Sequence, residues 1–356
     1  MKETGKYLVT GGAGFIGSHL VDALLAAGNR VVCLDNFSTG KRSNLKEALR
    51  REQFRLIEGD IRDPGVCREA CAGVKVIFHE AALGSVPRSI AAPAETVDVN
   101  VGGFVRILEA ARDAKVRRVV YASSSSVYGD APELPKREER IGRPLSPYAL
   151  SKRTDELFAE NFRAVYGLET VGLRYFNVFG PRQDAGSGYA AVIPKFLTAL
   201  LEHRPPTING DGSYSRDFTY IDNVVAANLL AAEAAGAPGG VFNIACGGCV
   251  TLAELFTVLR EAVGRHDPAA AGIEALHGPE RPGDVPHSQA DVSRAREQLG
   301  YRPRVEFREG VERTAAWFFR GGSVTDKPKG KECDSLLILR GNLSRTPLHD
   351  NRQKWK

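Results

Sequence analysis

Tyr148 and Lys152 stand four residues apart in a stretch with helical periodicity, so their side chains share one face of one helix. A free tyrosine gives up its proton near about pH 10, too high for a general base at neutral pH. An ammonium beside it favours the phenolate. Lowering a tyrosine ionisation by about three units asks for roughly 4 kcal/mol of differential stabilisation, which only a partly desolvated site supplies. The Y-x-x-x-K spacing alone carries little weight, because exposed helix faces show it often. It gains weight from Ser123-Ser124-Ser125-Ser126, a run of hydroxyls at the end of an apolar strand. Ligands of doubly wound sheets bind at the carboxyl ends of strands, so hydroxyls there face the ligand cleft.

A second constellation supplies a reaction partner. Gly11-Gly12-Ala13-Gly14-Phe15-Ile16-Gly17 follows a strand-like run and opens a helical one. Gly11 permits a tight turn, Gly14 lets the backbone approach a pyrophosphate, and Gly17 allows close helix–strand packing; the phosphates then meet free helix N–H groups. Asp35 ends the next strand, 18 residues past Gly17, where a carboxylate accepts both ribose hydroxyls of an adenosine. Its charge repels a 2′-phosphate, which favours NAD over NADP, while Lys41 and Arg42 close by pull the other way. Asp60 is placed either to meet adenine or as an ordinary loop carboxylate. A bound nicotinamide would add its own positive charge to that of Lys152 beside Tyr148.

Positioning these groups requires alternating strands and helices. Apolar runs at Lys6–Thr10, 30–34, Phe54–Glu58, Val76–His79, 119–123 and 169–174 read as strands. Helical patterns cover 15–27, 97–114 and 148–166. This predicts an α/β protein with a doubly wound parallel sheet covered on both faces. After Asn177 the chain turns to loops rich in Gly, Pro and Arg, then returns through a helix at 222–235 and a strand at 240–244. The expected organisation is a Rossmann domain from 1–176 and 221–245, a smaller α/β substrate domain from 177–220 and 246–320, and a disordered tail from 321–356.

The 356 residues carry 43% hydrophobic and 26% charged residues, ordinary for a globular protein. Of the net charge of +5, the last 36 residues supply +4, with eight Lys/Arg and four Asp/Glu. The near-neutral body does not predict a nucleic-acid surface. Six cysteines in so long a chain are not a disulfide framework, and no apolar run suits a membrane helix. The chain is expected to be cytoplasmic. Cys246-Gly-Gly-Cys249 has no second Cys/His pair nearby and reads as a loop rather than a metal site. His79 reads as a packed polar residue.

The motifs G-G-A-G-F-I-G, H-E-A-A-L-G-S-V-P-R-S, S-S-S-S-V-Y-G, S-P-Y-A-L-S-K, R-Y-F-N-V-F-G-P-R-Q-D, S-R-D-F-T-Y-I-D and R-P-G-D-V-P-H-S together resemble the extended short-chain dehydrogenase/reductases acting on nucleotide sugars. The similarity runs from Lys6 to about Arg320, and within the group points to bacterial UDP-N-acetylglucosamine 4-epimerases. The resemblance implies that Tyr148 removes the sugar 4-hydroxyl proton while hydride passes from carbon 4 to NAD. It implies that Lys152 holds the nicotinamide ribose and that Ser124 hydrogen-bonds the same sugar oxygen. A 4-keto sugar then turns over and takes hydride back on its other face. Related 4,6-dehydratases carry an Asp-Glu pair after a Thr at the serine motif; Ser124, Ser125 and Ser126 offer no acid, which favours epimerisation.

The cofactor residues implied by the resemblance are Gly11, Gly14, Phe15, Ile16, Gly17, Asp35, Asn36, Ser38, Gly40, Asp60, Ile61, Ala81, Ala82, Asn100, Tyr148, Lys152 and Tyr175. On the substrate side it implies Ser85, Arg88, Ser124, Ser125, Tyr148 and Asn177, with Arg216 and Arg281 clamping the diphosphate and Asp284 on the uridine ribose. The resemblance also implies that Ser288 borders the sugar 2-substituent, where tyrosine restricts relatives to non-acetylated sugars and serine would leave room for an N-acetyl group. UDP-uronic acids as substrates and a non-catalytic NAD-sensing regulator are the rival readings, though the latter expects loss of Tyr148 or Lys152. A homodimer through the helices at 97–114 and 148–166 is a further expectation.

Overall fold

Short runs rich in Val, Ile and Leu make the strands, because β-branched and other apolar side chains pack well on a pleated surface covered on both faces. The computed structural model describes residues 5–184, 191–280 and 285–320. In chain order the first half contains β1 (Lys6–Thr10), α1 (Phe15–Ala26), β2 (Arg30–Asp35), β3 (Phe54–Glu58), α2 (Pro64–Cys71), β4 (Val76–His79), α3 (Val86–Ala91), α4 (Pro93–Val97), α5 (Gly103–Asp113), β5 (Arg118–Ser124), α6 (Pro147–Tyr166) and β6 (Glu169–Tyr175). The second half adds β7 (Val178–Phe179), α7 (Val192–Leu201), β8 (Thr207–Asn209), β9 (Ser215–Arg216), β10 (Thr219–Tyr220), α8 (Ile221–Glu233), β11 (Val241–Ile244), β12 (Val250–Thr251), α9 (Leu252–Gly264), β13 (Leu276–Gly278), β14 (His287–Ser288), α10 (Ser293–Leu299) and α11 (Phe307–Phe319).

Seven strands pair in the order β11-β6-β5-β4-β1-β2-β3, and every pairing is parallel. One face packs on α1 and α8 through Leu20, Val21, Leu24, Val224 and Ala227; the other packs on α2 and α5 through Cys67, Cys71, Phe104, Ile107 and Leu108. Each of these larger apolar side chains contributes roughly 1.5–3 kcal/mol by leaving water. The doubly wound parallel sheet expected from the sequence is what forms. Strand β11 follows α8 and closes the sheet beside β6, with Val241 opposite Gly172 and Ile244 opposite Tyr175.

Several helical segments depart from the expectations, α2 and the stretch before α5 among them. The helix expected at 97–114 is interrupted by a π-helical turn over Asp98–Gly102 between α4 and α5, which places the buried Asn100. Helix α2 has no expected counterpart: it is only eight residues long, and its start rests on Asp63, whose side chain accepts from the N–H groups of Gly65 and Val66. The segment at 321–356, expected as a tail, lies outside the described residues, as do Arg281 and Asp284.

Candidate active site

The glycine turn and the carboxyl ends of β1, β2 and β4 enclose a cleft of about 310 Å³. Twelve of the expected cofactor residues line it: Gly11, Gly14, Phe15, Ile16, Gly17, Asp35, Asn36, Ser38, Asp60, Ile61, Ala81 and Ala82. Gly11 has φ +67°, and a Cβ there would stand 2.7 Å from the Ala81 backbone nitrogen. A Cβ on Gly17 would stand 2.2 Å from the Gly11 carbonyl oxygen. It therefore seats α1 directly on the turn that ends β1. Gly14 is the N-terminal cap of α1, and no side chain fills that end of the helix. The first-turn N–H groups, without intrahelical partners, suit an anion.

Asp35 is buried, and each of its oxygens already accepts one backbone N–H, from Ala13 at 2.9 Å and Phe37 at 2.8 Å. Burial pushes its ionisation upward against those two bonds. A carboxylate has about four acceptor positions, so two remain for a diol. Gly40 supports this corner, since a Cβ there would stand 2.9 Å from Asp35 Oδ1. Asp60 accepts from Arg62 and from Asn36 Nδ2, and the Arg62 guanidinium holds its carboxyl well below the usual range. These features fit an adenosine diphosphate group in the cleft.

Asn100 and Tyr175 stand one layer behind the cleft wall. The Asn100 amide accepts from Leu83 N at 2.8 Å and donates to Ser151 Oγ at 3.0 Å, tying the loop after β4 to α6. The Tyr175 hydroxyl donates to Glu80 Oε1 at 2.7 Å and accepts from Asn228 Nδ2. Glu80 itself lines the cleft, pushed up to about 7 by burial against the pull of Tyr175 and Lys152. Its place in H-E-A-A was the signal for it.

At the end of β5, Ser124 Oγ accepts from Ser126 N at 3.1 Å and starts a tight helical turn. Helix α6 begins at Pro147, capped by Ser146, whose hydroxyl accepts from Ala149 N. Tyr148 thus lies in the first turn, half-buried, with Lys152 one turn later and fully buried. Lys152 Nζ donates to the Ala122 carbonyl at 2.9 Å and to Asp155 Oδ2 at 3.3 Å. That first bond fastens the Tyr148–Lys152 helix to the strand end that carries Ser124.

Behind it, Glu156 accepts from Ser123 Oγ at 2.6 Å and from both Arg174 Nε and Nη2. Burial would raise its ionisation, but Arg174, Ser123 and Arg153 together outweigh that and hold it low. A carboxylate four residues after Lys152 was the overlooked signal. His79 is buried, with Nδ1 2.8 Å from Thr10 Oγ1, and is pushed down to about 3 by burial and by Lys152. Cys249 Sγ donates to Ser215 Oγ, and no cluster of three metal-ligating side chains occurs among the described residues.

A second cleft, about 270 Å³, is lined by Asn177 and Arg216 together with Lys195, Phe196, Asn209 and Phe218. Asn177 has φ +35°, and its Nδ2 donates to the Asp217 carbonyl. Arg216 Nη1 donates to the Ser215 and Pro286 carbonyls, and strand pairing sets Ser288 directly opposite Arg216. Lys195 was legible as the single charged residue of α7. Ser85 caps α3, accepting from Arg88 N, and both residues are half-buried.

The NAD dependent epimerase/dehydratase family model matches residues 7–245. A UDP-glucose 4-epimerase of Mycolicibacterium smegmatis is 43% identical over 315 residues, covering 87% of this chain and 97% of the relative. The solved UDP-N-acetylglucosamine 4-epimerase from Methanobrevibacter ruminantium, in complex with UDP-N-acetylmuramic acid, is 39% identical with a TM-score of 0.84, over 90% of this chain and 99% of that one. UDP-glucose 4-epimerase from Thermotoga maritima, with UDP-glucose, is 37% identical with a TM-score of 0.82, over 89% and 99%. With the match running from the first strand of the seven-stranded sheet through to its last in sequence, the chain belongs to the NAD dependent epimerase/dehydratase family and takes NAD as its cofactor.

Proposed function

We propose that the chain is a UDP-sugar 4-epimerase interconverting UDP-N-acetylglucosamine and UDP-N-acetylgalactosamine. The observation that carries the reading is the Lys152–Ala122 bond, which brings the Tyr148 helix and the Ser124 strand end to one point. A bound nicotinamide would supply the hydride acceptor and donor for carbon 4. Tyr148 takes and returns the 4-hydroxyl proton, Ser124 holds that oxygen, and Lys152 orients the nicotinamide ribose and favours the phenolate. No carboxylic acid stands among Ser124, Ser125 and Ser126 to expel water, so the reaction ends at the inverted alcohol.

In this reading residues 1–176 and 221–245 hold NAD, while 177–220 and 246–320 hold the sugar nucleotide. Arg216 and Asn177 serve the diphosphate, joined by Lys195. Ser288, opposite Arg216, leaves space for an acetamido group, with Ser125 as its hydrogen-bond partner. Helix α6 presents Leu150 and Leu157, 54% and 48% exposed, in one stripe, which supports a homodimer through that helix. The test is a product assay on a panel of UDP-sugars with NAD added or withheld. Interconversion of the N-acetyl sugars is expected. Turnover of UDP-glucuronate instead would move the substrate to the uronic acids, and no turnover of any UDP-hexose would favour an NAD sensor.

A further inference from the structure

Tyr148, Lys152 and Asp155 occupy positions i, i+4 and i+7 of α6, a single stripe down one side of the helix. Asp155 is 1% exposed, with Oδ2 3.3 Å from Lys152 Nζ. Its other oxygen, Oδ1, is buried without a hydrogen-bond partner. A buried carboxylate satisfied at one oxygen only is a poor stabilising device, since desolvation takes back much of what the ion pair supplies.

The surroundings single out Lys152 as its counter-charge. Glu156, also on α6, is neutralised by Arg174 from β6 and Arg153. From β5, Tyr121 faces Asp155 and Glu156 as a buried neutral phenol. From β4 and just beyond it, His79 and Glu80 face Lys152, and burial disfavours charge on both. Burial likewise pushes Asp155 itself up to about 7, with Lys152 pulling the other way.

We infer that Asp155 is a positioning residue that anchors the Lys152 ammonium at the Ala122 carbonyl and limits how much of its positive field reaches Tyr148. The inference rests on Tyr148 and Lys152 being the reacting pair. An anion two helical turns behind the tyrosine opposes phenolate formation.

The test compares Asp155→Asn and the smaller Asp155→Ser with the wild type, each purified with NAD. In both variants the acid limb of kcat/KM is expected to move to lower pH by about one unit, the effect of one charge at that range in a partly screened site. An ultraviolet difference titration of the phenolate, assigned by subtracting Tyr148→Phe, should shift in the same direction and requires no turnover. Uniform loss of activity across pH with an unmoved phenolate titration would mean a packing role only and overturns the inference. If the wild type turns over no UDP-sugar, the proposed function fails, and the phenolate titration alone decides the role of Asp155.

Discussion

Ser288 sits on β14 opposite Arg216, so the backbone pairing that seats the guanidinium proposed for the diphosphate also fixes a small hydroxyl opposite it. Filling that space with an aromatic ring should exclude a bulky 2-substituent and spare a hydroxyl. Ser288→Tyr is expected to lose turnover of UDP-N-acetylglucosamine while keeping UDP-glucose, read as the ratio of kcat/KM values; equal loss on both sugars would remove the gate. At Tyr148, replacement by Phe deletes one hydroxyl from the first turn of α6 and leaves the glycine cleft untouched. Turnover should fall by about 10²–10⁴-fold with NAD retained, measured by absorbance of the purified protein. The residues legible in the sequence were those whose function needs a fixed spacing, such as Gly11, Gly17, Tyr148 and Lys152. Asn100, Glu80 and Glu156 act through partners 17 to 95 residues away, so spacing alone could not reveal what they touch.

Between elements, the Glu156 carboxylate is the joint where α6, β5 and β6 meet. Ser123 and Arg174 both bond it, and Arg174 also donates to the Glu138 carbonyl. Glu156→Gln leaves a buried guanidinium without its anion and should destabilise the fold by about 3–5 kcal/mol in denaturant unfolding. The pH dependence has a definite sign. A carboxyl held low in the folded state contributes stability above its unfolded value near about 4.3, and loses it as pH falls through the lower folded value. The gap between wild type and variant should therefore narrow in acid; a gap that widens would contradict the assignment. The ends of the sheet strands agree with the sequence reading to within about a residue, because short apolar runs of three or four residues between breakers leave few alternatives. The two-residue strands Ser215–Arg216 and His287–Ser288 were not legible in it, since their pairing depends on partners 72 residues apart. The π turn before α5 has no periodic signature either.

For the whole molecule, the apolar stripe of α6 is the feature that asks for a partner. If the proposed homodimer packs there, Leu157→Arg should halve the mass measured by sedimentation while leaving the circular dichroism spectrum unchanged; a dimeric variant would place the contact elsewhere, and a monomeric wild type would remove the homodimer. A different consequence attaches to β11, the strand that completes the sheet beside β6. Its residue Asn243 accepts from the Tyr128 hydroxyl, donates through Nδ2 to the carbonyls of Lys136 and Asp291, and its backbone N–H donates to Glu138. During synthesis the outer edge of β6 has no partner until some 70 further residues have left the ribosome. A nascent chain paused in that interval presents an open, apolar strand edge, the kind of surface on which one copy adds to the next. The last strand of the seven-stranded sheet thus protects the chain from its own copies before it has any part in chemistry.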